Sequence, residues 1–354
     1  MTSTDLSARF APTVDADLVD LMQSVFADHD RTRDTTPADG RIGIDRALWR
    51  RLDELGLVTL TTPERWGGSG AAWWESAELL TAAVRFGVRL PLAEHDLLAC
   101  WALGATDHAV GDAIRTIHVV PHQGAAELPT PWAGEVDRIV IVWFDGMRHR
   151  LADVEVEGFP MRREHNLIGE PRDVLTVDTG ALAGDAVSMQ IVDKLARKSA
   201  MVRAIQVCAA LDRAVQMSVE HVASRIQFGR PLAKFQAIQN LVADAAAEAA
   251  LARAATEAAL STAVDSDWAA ASLDFRIATA RSCAGHAASV VTRHVHQVHG
   301  AIGTTREHRL HEVTRAALAW RSEYGSVRSW DERVAALAAT AGAQSLWRLI
   351  ADNG

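Results

Sequence analysis

The sequence predicts a mainly α-helical protein in three parts: an N-terminal helical domain, a small central β-sandwich or barrel, and a C-terminal four-helix bundle. Three observations predict it. Apolar residues recur at helical spacing through roughly the first 110 residues. Short β-branched runs bounded by Pro and Gly follow, and an alanine-rich helical pattern then fills the rest of the chain. The boundaries fall at residues 1–112, 113–192 and 193–354. With 354 residues, 49% of them hydrophobic, the chain has material for a large core divided into subdomains.

The elements follow in order. The first twelve or so residues lack periodicity and are expected to form a loose arm, and residues 15–28 read as an amphipathic helix. A second helix over 44–55 should stop at Gly56, a glycine suited to the C-terminal cap, with Leu57 to Leu60 running extended into Pro63 and the turn Gly67-Gly68-Ser69-Gly70. Residues 73–86 and 91–103 restart helical character. Strands are expected at 116–120, 138–144, 151–156, 174–177 and 186–191. Long helices are expected at about 197–226, 232–261 and 267–298, with shorter ones from 308 onward. In the middle one, Phe235, Ile238, Val242, Ala245, Ala249, Ala252 and Ala259 form the stripe that a packed antiparallel bundle requires.

Composition excludes several classes of function. A formal charge of −9 with scattered Lys and Arg offers no footprint for nucleic acid. No apolar run reaches the roughly 18 residues of a membrane span, and no signal-peptide pattern opens the chain, so a cytoplasmic protein is expected. Cys100, Cys208 and Cys283 lie far apart without a Cys-x-x-Cys pair and are expected to be inert thiols. The chain lacks a Gly-x-Ser-x-Gly elbow, a phosphate-binding loop and a Gly-x-Gly-x-x-Gly turn. His294, His296 and His299, with His308 and His311 nearby, invite a metal reading. On one helix, however, His294 and His296 point apart, and no carboxylate joins them at i+3 or i+4, so no metal is expected.

The informative stretch is Arg225-Ile226-Gln227-Phe228-Gly229-Arg230-Pro231-Leu232, followed by Phe235-Gln236. It presents a cation, an amide and an aromatic at a glycine turn, a set that can grip a phosphate and stack on a ring. Taken alone, these residues fit at least as well an ordinary helix–turn–helix with Gly229 as the cap and Phe228 as a core plug. A second element shifts the balance: Gln297-Val298-His299-Gly300-Ala301-Ile302-Gly303 ends another helix with glycines that let backbone amides approach a ligand.

These two elements, with Glu307 and Arg315 after them, resemble the C-terminal half of the acyl-CoA dehydrogenase family. Leu55-Gly56-Leu57 and Thr62-Pro63-Glu64-Arg65-Trp66-Gly67-Gly68-Ser69-Gly70 resemble its N-terminal half, and the likeness runs from about residue 45 to 335. The resemblance implies a flavoprotein that removes the α-proton of an acyl-CoA thioester with a carboxylate base while the β-hydrogen passes as hydride to FAD. It further implies that Arg225, Gln227 and Phe228 contact the pyrophosphate and adenosine of FAD, and that Gln297, Gly300 and Gly303 contact the adenine end. These contacts reach a neighbouring subunit's cofactor. Arg253 matches a structural arginine that pairs with a carboxylate, and an electron-transfer flavoprotein is the implied electron acceptor.

Two departures from the family pattern stand out. The stretch Ile114 to Pro131 lacks the Thr- and Ser-bearing strands that hold the flavin ring in the family, and reads His118-Val119-Val120-Pro121 instead. In Arg321-Ser322-Glu323-Tyr324-Gly325-Ser326, Tyr324 occupies the usual base position and Glu323 falls one residue early. A tyrosine of ordinary acidity, near ~10, is a poor base at neutral pH. The other family position, near Ser199-Ala200, also lacks a carboxylate. The favoured expectation is therefore the FAD-contacting, base-lacking partner subunit of an α2β2 complex with a homologous chain. The alternatives are a complete homo-oligomeric enzyme using Glu323 as base, a structural or assembly protein on the same fold, and a flavin monooxygenase relative.

Overall fold

The structure, a computed structural model, describes residues 14–32, 40–120 and 127–351. The expected N-terminal arm lies outside these residues. Helices come first, then strands, then helices, as the sequence predicts. The chain divides into two compact units, one built from Ala16–Leu80 and Val88–Ser199, the other centred on Thr81–Gly87 and Ala200–Gly354.

The first unit opens with α1 (Ala16–Thr32), α2 (Arg46–Glu54) and the first part, up to Leu80, of α3 (Trp73–Arg85). Helix α2 starts where the Asp45 carboxylate accepts from the amides of Ala47 and Leu48, both at 2.9 Å, and it buries Leu48, Trp49 and Leu52. It stops as predicted before Gly56, whose φ of +69° only glycine adopts easily. Leu57 to Leu60 do not run extended. The segment turns back on the glycine loop, with Ser69 N donating to Thr59 O and Ala71 N to Leu60 O. Gly68 permits that closure, because a Cβ there would sit 2.0 Å from the Thr62 carbonyl oxygen.

The apolar stretch after Pro91 is a π-helix over Ala93–Cys100 that continues into α4 (Trp101–Gly104), where the sequence suggests ordinary helix. Every residue of the π segment is buried. Two anchors hold it. The Asp96 carboxylate accepts from the amides and hydroxyls of Thr61 and Thr62 at 2.8–3.1 Å, and His95 Nδ1 accepts from Arg115 N at 3.0 Å.

Strands β1 (Arg115–Val119), β3 (Arg138–Phe144), β4 (His149–Glu155) and β7 (Asp185–Val187) form one sheet in that order, with β1 parallel to β3 and the other pairs antiparallel. Ile139 to Trp143 are all buried, which explains the unbroken apolar run in β3. A second sheet has the order β2 (Glu127–Pro131), β6 (Arg172–Thr176), β5 (Met161–Arg162). Sequence patterning misses β2 because Pro129 and Pro131 cannot donate to a ladder. Its edge position tolerates them. The sheets are joined where Thr116 Oγ1 donates to Pro131 O at 2.7 Å and His118 Nδ1 meets Thr130 Oγ1 at 2.6 Å.

Helix α5 (Met189–Ser224) begins before the predicted residue 197, and the boundary between the units falls within it. The second unit continues with α6 (Gln236–Asp265), α7 (Leu273–His299), α8 (Leu310–Trp320) and α9 (Val327–Ala351). Ala245, Ala249, Ala252 and Ala259 of the predicted stripe are buried, whereas Phe235, Ile238 and Val242 are half-buried. Small side chains set close packing here: a Cβ on Gly285 of α7 would meet Val327 at 2.7 Å. Helix α9 is long and apolar enough, by length and composition, to cross a membrane. This differs from the expectation that no apolar run reaches span length, because Thr340, Gln344, Ser345 and Arg348 interrupt the apolar residues of this helix. Its first turns lie along α7, where Asp331 bonds Ser282 and His286, and Arg333 pairs with Asp274.

Burial pushes the His95 imidazole down to about 3, helped by the Arg115 charge, and His118 down to about 4. Both rings are neutral in the folded state at pH 7 and remain so well below the value of about 6.5 at which an unfolded histidine protonates. Below that value the unfolded chain binds the extra protons, so stability falls with pH and the His118 contribution levels off near pH 4. Urea midpoints measured from pH 7 to 4 should show this decline, and His118→Gln should flatten it by close to one proton's worth of slope.

Candidate functional site

Helix α5 ends at Ser224, and the chain turns at once into a two-stranded hairpin, Ile226–Gln227 against Arg230–Pro231. The turn residues Phe228 (φ +51°) and Gly229 (φ +80°) are both left-handed, as a two-residue hairpin turn requires. Gly229 is therefore not a helix cap. Nor is Phe228 a core plug: it is 90% exposed. A bulky residue with positive φ is uncommon, so the backbone accepts strain to hold an aromatic ring in solvent. Arg225 and Gln227 are exposed beside it. Arg230 lies over Phe235 at 4.2 Å, and Phe228 meets the same ring edge-on at 6.0 Å, which stiffens the hairpin base.

The second motif closes α7. Gln297 is exposed, and Gly300 has φ +64° with open space where a Cβ would stand. Gly303 differs, because a Cβ there would meet His299 Cβ at 2.7 Å and Leu310 at 3.2 Å. Its lack of a side chain serves packing under the turn. The two motifs are neighbours: His221, one turn before Arg225, stacks on His299 with ring centroids 4.4 Å apart. His308 packs edge-on against His299 at 4.7 Å and against His221 at 6.2 Å. No local pattern in the sequence marks His221, which only the fold brings here. Arg253 pairs with Asp212 at 3.1 Å, the structural role the resemblance implies.

The loop after α8 is built around buried cations. Arg203, 1% exposed, donates from Nε and Nη2 to Glu323 Oε2, both at 2.8 Å, and from Nη1 to Gln206. Arg281, also 1% exposed, donates from Nη2 to the carbonyl oxygens of Glu323 at 2.7 Å and Arg321 at 3.1 Å. Burial, and then the nearby Arg203 charge, push the Arg281 guanidinium down to about 10, so it stays charged at neutral pH. Tyr324 has φ +54° and stacks its ring on Arg203 at 5.1 Å. The Glu323 carboxylate is thus engaged by the buried Arg203. At the other family position the Ser199 hydroxyl bonds Leu195 O within α5. Beside it, the buried Lys198 ammonium lies 4.6 Å from both the Trp73 and Trp101 rings, an aromatic clamp that sequence reasoning does not reveal.

In the β unit, the hydroxyls of Thr116 and Thr130 are both buried and engaged by Pro131 O and His118. Residues 121–126 of that stretch lie outside the described residues.

Profiles of two domains match the chain: the acyl-CoA dehydrogenase N-terminal domain over residues 16–106 and the acyl-CoA dehydrogenase C-terminal domain over residues 190–327. Acyl-CoA dehydrogenase IpdE2 of Mycobacterium tuberculosis is 30% identical over 282 residues, covering 76% of this chain and 79% of that protein. The chain belongs to the acyl-CoA dehydrogenase family. Among solved structures, the ChsE4-ChsE5 complex from Mycobacterium tuberculosis aligns with a TM-score of 0.81 at 21% identity, covering 94% of this chain and 99% of the chain compared. A variant of the Tcur3481-Tcur3483 steroid ACAD aligns at 0.77 and 21% identity, covering 92% and 97%.

This is an oxidoreductase family that depends on FAD. The hairpin and the Gly300 turn suit such a cofactor, with an exposed cation, amides and an aromatic face around an open glycine. The described part of β1 and β2 suits the flavin ring poorly, because the threonine hydroxyls bond inward and Pro129 and Pro131 carry no N–H.

Replacing Glu323 should cost folding stability, since it removes the carboxylate that accepts from the buried Arg203 guanidinium. Glu323→Ala is expected to lose about 3 kcal/mol in urea unfolding, with Glu323→Gln recovering part of it.

Proposed function

We propose that this chain is the partner subunit of a heteromeric α2β2 acyl-CoA dehydrogenase. Its hairpin and glycine turn contact FAD held mainly by a homologous subunit, which also supplies the catalytic base. The observation that carries this reading is the contrast within the site. Arg225, Gln227, Phe228 and Gln297 face outward, while Glu323 is held by the buried Arg203.

The reaction is the α,β-dehydrogenation of an acyl-CoA thioester. A carboxylate of the homologous subunit takes the α-proton, and the β-hydrogen leaves with its electron pair. Bound FAD supplies the hydride acceptor, and an electron-transfer flavoprotein then collects the electrons. This chain's share is binding: Arg225 pairs with the pyrophosphate, Phe228 stacks by the adenosine, and Gln297 with the amides around Gly300 and Gly303 holds the adenine end. Tyr324 lines the acyl side in place of a base. A bulky, ring-bearing acyl group is the first to try, since a structure that shares this fold is of a steroid ACAD.

The test is the visible spectrum of the chain purified alone and after co-expression with a homologous subunit. A colourless chain that gains flavin only in the complex supports the proposal. Full flavin occupancy in the chain alone overturns it in favour of a homo-oligomer, with Glu323 as the first candidate base. Within the complex, Arg225→Ala and Phe228→Ala should lower flavin occupancy. As exposed positions, they should shift the stability of the isolated chain by no more than about 0.5 kcal/mol.

A further inference from the structure

We propose that His221, His299 and His308 form a binding site for a first-row transition-metal dication such as Zn²⁺, which would pin the hairpin base, the glycine turn and the approach to α8 together. One ring nitrogen from each histidine lies within 4.8 Å of the other two. The three residues come from separate segments: the last turn of α5, the last turn of α7 and the loop before α8.

His299 is the fixed ligand. It is 5% exposed, and its Nδ1–H donates to Val295 O at 2.7 Å. That bond sets the tautomer and leaves the buried Nε2 with a lone pair and no hydrogen-bond partner among the described residues. A ring with one N–H on a backbone carbonyl and the other nitrogen bare is how metal-ligating histidines are oriented.

His221 and His308 are half-exposed and supply the movement. Ligation at about 2.0–2.1 Å brings tetrahedral nitrogen ligands to about 3.3 Å from one another, so the ring nitrogens must close by up to about 1.5 Å. His221 swings out of its stack on His299. His308 Nδ1, which now accepts from Leu310 N at 3.1 Å, turns away from that amide at the start of α8. Burial foremost lowers the imidazoles of His221, His299 and His308, so all three are neutral and ready to ligate at pH 7. Three imidazoles without a carboxylate select a zinc-, nickel- or copper-like ion over calcium or magnesium, and leave a fourth position open.

The experiment is calorimetric titration of Zn²⁺ into the tag-free full chain, checked by equilibrium dialysis. It needs no flavin and no second subunit, so its outcome is independent of the partner-subunit reading. Expected are one Zn²⁺ per chain for the wild type and a loss of affinity of at least about tenfold in His299→Ala and in His221→Ala. His221→Ala keeps the test decisive if the buried His299 substitution impairs folding. His286→Ala, remote from the cluster and paired with Asp331, should bind as the wild type does. Absence of stoichiometric binding by the wild type, or equal affinity in His221→Ala, overturns the proposal.

Discussion

Two guanidinium groups buried side by side set the terms for the C-terminal unit. Arg203 on α5 and Arg281 on α7 are each 1% exposed, and burying such charges costs several kcal/mol per ion unless they are paired and hydrogen-bonded. The compensation comes from the loop after α8. Glu323 provides the carboxylate, and the carbonyls of Arg321 and Glu323 turn inward to Arg281. That inward turn accompanies the left-handed conformation of Tyr324 (φ +54°) and the positive φ of Gly325. The loop after α8 thus serves as counter-ion to the bundle.

The hairpin answers the opposite demand. Where the loop after α8 directs its polar groups inward, residues 225–230 are exposed throughout, and the backbone strain at Phe228 keeps an aromatic ring out of the core. In the other unit, Thr116 bonds Pro131 O and His118 Nδ1 bonds Thr130 between the two sheets, and Asp96 accepts from Thr61 and Thr62. Polar groups closed on each other stabilise the chain, and those left open are what it can offer to another molecule.

Much of this was legible in the sequence where the cause is local. Gly56 ends α2, the β-branched run 138–144 is a fully buried strand, and the alanine pattern of α6 marks its packed face from Ala245 onward. The hairpin motif was visible as residue types, but its geometry was not: a helix cap and a two-residue hairpin turn both use glycine with positive φ. The π-helix escaped because an apolar run of that length has the same composition in either helix. Strand β2 escaped because its prolines break the pattern that identifies strands. The start of α5 was placed late because 186–191 carries β-branched residues that also suit a strand.

By itself, the sequence determined the order of helices, strands and helices, the family, and the residues of the two motifs, because each rests on neighbours within a few turns of the chain. Only the tertiary structure decided that Glu323 meets Arg203, that Arg281 gathers the loop carbonyls, and that His221, His299 and His308 converge. Those pairings join residues far apart in the chain. Burial then makes them matter, since a charge or a ring nitrogen removed from water must find its partner wherever the fold brings one.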